Sequence, residues 1–171
     1  MHGTEINYAE NSAIIQMTGE TIKASSSDAT FFNSNSDKNK LENVTIASNK
    51  TGEEVLFTEL NSQASNVTLK NVHITNATFG AYAMDHSKIT ISGGSFAGNR
   101  EAIHVQNGSS ITLTKNAQIT SSDGNGLFAD GLDSTITMTT GSITAKEAAL
   151  TVENGGHIDA TNISAKQRRT A

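Results

Sequence analysis

The chain has 171 residues, of which 35% are hydrophobic, 5% aromatic and 17% charged, with a net charge of −5. That is enough chain for one domain with a continuous core, and it excludes the high-charge profile of a disordered tail and the basic, aromatic-studded face of a nucleic-acid binder, "KQRR" at 166–169 being the one basic run. The surplus is 22 Thr, 19 Ser, 17 Asn and 14 Gly, types that favour half-buried pleated surfaces and tight turns and so predict many short strands.

The first ten residues, "MHGTEINYAE", show no secretory leader, and no stretch approaches the ~20 apolar residues of a membrane span. The expectation is a chain soluble as given, or cut from something longer, with no membrane insertion of its own. Cys and Pro are both missing. A reducing compartment fits the first absence. So does passage across two membranes unfolded, which disulfides and slow prolyl isomers obstruct, and both remain open.

In chain order, "AIIQM" at 13 leads through "TIKA" at 21 to "ATFFN" at 29, and "NVTI" at 43 leads to "EVLFTE" at 54. The runs "NSNSDKNKLEN" (33–43) and "TELNSQASN" (58–66) read as insertions leaving a repeat as surface loops, where binding residues gather. Lys38 and Lys40 make either a small basic contact spot there or an ordinary solvated loop.

From residue 65 a repeat becomes explicit. A first strand recurs as "NVTL" at 66, "KITI" at 88, "SITL" at 110, "TITM" at 135 and "HIDA" at 157, so that Val67, Ile89, Ile111, Ile136 and Ile158 follow at steps of 22, 22, 25 and 22. Ile74, Phe96, Ile119, Ile143 and Ile163 mark a second strand, and "AYAMD" at 81, "AIHVQ" at 102, "GLFAD" at 126 and "ALTVE" at 149 a third. Within each, apolar residues alternate with polar ones.

Three series sharing one period predict an all-β, right-handed parallel β-helix of six to seven coils of about 22 residues, three short strands each. One domain spans 1–165, with looser coils over 1–64, regular coils over 65–165 and a tail at 166–171. An antiparallel sandwich also uses many short strands, but its hairpins would not lock three series to one period.

Aligning the third strands places Asp85, Gln106, Asp130 and Glu153 in one column, with Asp130 and Glu153 about 5 Å apart. Such a pair suits glycoside hydrolysis or Ca²⁺, and equally a solvated acidic turn beside Asn107 and Asn154. The same alignment puts Phe128 outward with Ala83, His104 and Thr151, an exposed aromatic anchor for a partner protein, unless a local bulge turns it inward. His2, His73, His86, His104 and His157 fall at no metal-ligand spacing. The expected site is therefore a partner-binding one at Phe128, His104, Lys38 and Lys40, with no cofactor and no catalysis.

The run "MTTGSITAKEAALTVENGGHIDATNISA" (138–165) resembles the β-helical passenger domains of Gram-negative autotransporters, the pertactin-like group, where phrases such as "GSIT", "ALTVENGG" and "IDATNIS" stack coil on coil. The similarity covers about 65–165. "SNVTLKNVHITN" (65–76) is most similar to Bartonella passengers, an angiogenic one among them. The resemblance implies secretion or display at the bacterial surface and binding of a host cell-surface protein, a vascular endothelial growth factor receptor in the angiogenic case. Such receptors act when two ectodomains meet, which implies a bivalent ligand or a homodimer. A non-signalling adhesin and a polysaccharide-active enzyme using Asp130 and Glu153 are the other readings.

Overall fold

Two inward aliphatic residues per short strand bury little surface unless the next coil covers them. The computed structural model describes residues 7–10, 14–24, 31–34, 38–48, 56–59 and 66–168, and all of its strand pairs are parallel and coil-to-coil. The first coils carry β1 (Asn7–Glu10), β2 (Gln16–Thr18), β3 (Thr21–Ala24), β4 (Phe31–Ser34), β5 (Asn39–Glu42), β6 (Thr45–Ser48) and β7 (Leu56–Glu59). The middle coils carry β8 (Asn66–Lys70), β9 (His73–Ala83), β10 (Lys88–Ser92), β11 (Ser95–Gln106) and β12 (Ser110–Thr114). The last carry β13 (Ala117–Ser121), β14 (Asn125–Asp130), β15 (Thr135–Met138), β16 (Gly141–Ala145), β17 (Leu150–Glu153), β18 (His157–Ala160) and β19 (Ile163–Gln167).

Strands β2, β5, β8, β10, β12, β15 and β18 form one seven-stranded sheet, one strand per coil, and the remaining twelve form the second sheet. Val67, Ile89, Ile111, Ile136 and Ile158 stand in register across five successive rungs. In β12, Ile111 and Leu113 are fully buried while Ser110, Thr112 and Thr114 are only half covered. The β-branched alternation thus sets which face goes inward. The expected solenoid is the fold observed.

Corners are turned by residues in the left-handed region. Asn43, Asn71, Gly93 and Lys115 take φ of 54, 50, 71 and 55° after consecutive first strands. Asn43 N donates to Lys70 O, Asn71 N to Ser92 O and Gly93 N to Thr114 O, so the coil-to-coil ladder continues through the bend. Asn107 and Gly108, at φ 51 and 71°, link β11 to β12. This Asn-Gly pair joins strands of different sheets rather than closing a hairpin.

Four details depart from the sequence reading. The second and third strands, expected as separate pieces, are continuous in β9 and β11, which bend through irregular register near Gly98. A Cβ on Gly98 would lie 2.4 Å from Glu101 O, so the bend needs glycine there. In the last coil Ala165, not Ile163, stands over Ile143, and Ile163 pairs with Gly141. "NVTI" at 43 leads into β6, which pairs with β3 and β9 in the second-strand series.

The fourth concerns 33–43, which is not all loop: its first two residues end β4 and Asn39–Glu42 are β5, with Asn39 and Leu41 buried. Lys-rich polarity hid the strand, because Asn39 fills an inward position by accepting Ile15 N through its side-chain oxygen at 2.6 Å. Residues 58–59 belong to β7 and 60–65 lie outside the described residues. Lys38 is an exposed left-handed residue at φ 69°. Lys40 is not a free cation, since it sits 2.7 Å from Glu42, which Lys70 also contacts. Hydrogen bonds from Lys40 and then Lys70 hold the Glu42 carboxyl at about 2, well below the usual carboxylate range.

Two outcomes follow from this packing. Ile111→Ala lowers the unfolding free energy by about 2–5 kcal/mol in urea, whereas Thr112→Ala, one residue away on the outer face, stays within about 0.5 kcal/mol. Equal effects at both sites would contradict the inward column. Glu42 ionises more readily folded than unfolded, so its contribution is complete above pH ~4.5 and is lost as pH falls toward 2. Stability between pH 5 and 2 therefore falls less steeply in Glu42→Gln than in the parent chain, and parallel slopes would refute the pairing.

Candidate functional site

The third-strand series carries the site, through a shift of one residue. In the aligned phrases Ala83 matched His104, but His104 pairs with Tyr82, and Ala83 pairs with Val105 and is fully buried. The offset between β9 and β11 is 22 residues both before and after the Gly98 bend, whereas the phrases at 81 and 102 align 21 residues apart. With that correction one register position holds Tyr8, Phe32, Phe57, Tyr82, His104, Phe128 and Thr151 on successive rungs. Five of the eight aromatic residues in the chain occupy it.

From Tyr82 onward the side chains form a strip on the outer face. Their neighbours Ala81, Ala83, Ile103, Val105, Leu127 and Ala129 fill the core with no exposure, so alternation points Tyr82, His104 and Phe128 the other way. Phe128 is therefore outward, not turned in by a bulge. The ring centroids of Tyr82 and His104 are 4.7 Å apart, and those of His104 and Phe128 4.8 Å. Phe79 packs alongside, 5.0 Å from Tyr82 and edge-on to His104 at 5.4 Å. These are favourable aromatic separations.

Stacking closes the upper part of the strip. Tyr82 and His104 are 9% and 8% exposed, so His104 is a stacked spacer rather than an accessible contact. Phe128 is half-buried and, on the next rung, meets Thr151, whose hydroxyl donates to Asn125 Oδ1 at 2.9 Å. Among the residues whose burial is described, the accessible aromatic surface is thus Phe128.

Three residues before the strip on each coil is the column Phe79, Glu101, Asn125. Glu101 is a buried carboxylate: its Oε1 faces Arg100 Nε at 3.4 Å and its Oε2 faces His104 Nδ1 at 3.7 Å. Neither Oε2 nor either His104 ring nitrogen has a hydrogen-bond partner among the described residues. The Arg100 guanidinium carbon sits 5.9 Å from the centre of the Phe79 ring, within cation–π range. Beside them opens a recess of about 400 Å³ lined by Arg100, Glu101, Asp123, Gly124 and Glu147. A Cβ on Gly124 would lie 2.1 Å from Arg100 O, so glycine lets the recess floor approach the strand beneath it. Glu101 and Arg100 went unnoticed in the sequence because a lone "RE" pair carries no spacing signal.

The acidic column is built differently from expected. Gln106, Asp130 and Glu153 do stand in register, but Asp85 lies one residue on, where Asn107 donates to its carboxylate at 2.8 Å. Asn154 donates in the same way to Asp130 Oδ1 at 2.7 Å. These carboxylates tie turn to turn, and no group of three metal-ligating side chains occurs among the described residues. His73 Nδ1 pairs with Ser95 Oγ at 2.8 Å, His86 and His157 are exposed, and His2 lies outside the described residues. Lys38 and Lys40 belong to β5 and the residue before it, so the four candidate contact residues do not form one site.

A family model described as a right-handed beta helix region matches residues 3–165. No curated protein and no solved structure matches the chain. The match runs over almost the whole length on which the parallel coils were found, and the chain belongs to the right-handed β-helix family.

Proposed function

We propose that the chain is a passenger-type β-helix, secreted or displayed at a bacterial surface, that binds a host cell-surface protein without catalysing a reaction. A right-handed β-helix fits a pertactin-like passenger or adhesin. The observation that carries the binding reading is the outward strip ending in half-buried Phe128. A rigid aromatic at the rim of a preorganised sheet loses little side-chain entropy on binding, and such residues dominate interface energetics. The finer version, a proangiogenic ligand that brings two vascular endothelial growth factor receptor ectodomains together as a bivalent or homodimeric form, is supported by the resemblance of 65–76 to Bartonella passengers.

Surface binding to endothelial cells and to immobilised receptor ectodomains tests this. Phe128→Ala is expected to weaken binding by ~10-fold or more, in line with loss of a central aromatic anchor, while Thr90→Ala on the opposite sheet leaves it unchanged. Binding to cells but not to receptor ectodomains would reduce the function to adhesion. Unchanged binding by Phe128→Ala would remove the strip from the interface.

A further inference from the structure

The recess beside the strip contains a carboxylate whose bonding is incomplete. Glu101 is 6% exposed, yet its Oε2 accepts no hydrogen bond among the described residues. Burial without a donor is costly for an ionised carboxylate, and a positively charged donor offsets that cost best. Arg100 supplies a partial answer. Its side chain is 71% exposed and reaches Oε1 only through Nε, at 3.4 Å, the weak geometry of a surface pair.

The rest of the wall favours a cation as well. The lining residues carry three carboxylates, on Glu101, Asp123 and Glu147, against one guanidinium, a net of −2. Lys146, which reaches Asp123 from outside at 3.2 Å, reduces this to −1. A guanidinium is the cation that matches both features present: its planar fork pairs with a carboxylate and its face stacks on an aromatic ring. Arg100 already displays the second contact over Phe79.

We propose that the recess is a docking site for an arginine side chain of the partner protein, and that Arg100 is a tethered occupant which the incoming guanidinium displaces. The source of that arginine rests on the host-protein-binding reading; the affinity of the recess for a guanidinium does not. In the complex Glu101 exchanges its 3.4 Å contact with Arg100 Nε for the fork of the incoming guanidinium, Asp123 and Glu147 steer the approach, and Phe128 lies on the adjoining strip.

The test uses acetyl-arginine amide as probe, with its neutral citrulline analogue as control, followed by NMR on the full chain. The arginine probe is expected to give saturable shifts at the amides of Glu101, Asp123 and Gly124. Arg100→Ala tightens the probe by about 3-fold or more, because a tethered competitor is removed. Glu101→Gln weakens it by at least about 3-fold, as does Asp123→Asn, the loss of a charged partner in each case. Asp123 is exposed, so that variant separates binding from folding. No saturable shift in Arg100→Ala, or equal shifts with the citrulline probe, would overturn the proposal. Since the probe needs no host protein, intact probe binding with Phe128-independent cell binding overturns only the earlier reading.

Discussion

The whole molecule depends on parallel strands lying in register, coil on coil. Each inward side chain is covered by the equivalent residue of the next rung, so Ile111 is buried by Ile89 and Ile136 rather than by a distant layer. A chain with only 35% hydrophobic residues can therefore hold a core, because two apolar positions per strand suffice when rungs repeat at ~4.8 Å. The same arrangement satisfies polar groups that would otherwise be buried at a cost. Ser109 Oγ accepts Ser87 N at 3.1 Å and Ser134 Oγ accepts Gly108 N at 3.0 Å, one coil bonding the turn of the next.

Register also multiplies whatever stands at a position. An aromatic residue on one rung is a local feature; on several rungs it becomes a strip whose members bury each other, as Tyr82, His104 and Phe128 do. Next to it the fold tolerates Glu101, a carboxylate that a purely structural column would not place under cover. Strain and unmet bonding of this kind concentrate at functional positions. The rigidity of the stacked coils, rather than any single side chain, holds the strip and the recess side by side.

Most of the fold was legible in the sequence because Ile, Val and Leu recur with one period and alternate within each strand. What was not legible has specific physical causes. Tyr82 was passed over because the apolar phrases at 81 and 102 match at a spacing of 21, whereas the strands themselves keep an offset of 22. Strand β5 looked like a loop because Asn39 satisfies an inward position by hydrogen bonding, not by apolarity. Ala165 escaped notice because Ile163, two residues earlier, is the bulkier aliphatic, although it follows Ile143 by 20 residues and Ala165 does so by 22. The pairing of Lys40 and Lys70 on Glu42 joins residues nearly thirty positions apart, a contact that only the stacked register creates. The outward direction of Phe128 came from alternation alone and stands.

The most direct test of the stacking is a disulfide ruler on the cysteine-free chain. Thr90 pairs with Thr112, and Thr112 with Thr137, so adjacent rungs sit ~4.8 Å apart and alternate ones about 10 Å. Only the first spacing falls within the ~4.4–6.8 Å that a disulfide spans. Under mild oxidation, Thr90→Cys/Thr112→Cys should close rapidly within one chain and Thr90→Cys/Thr137→Cys should remain reduced. Failure of the first pair to close, or closure of both at the same rate, would contradict the in-register coils on which the strip, the recess and the binding surface all stand.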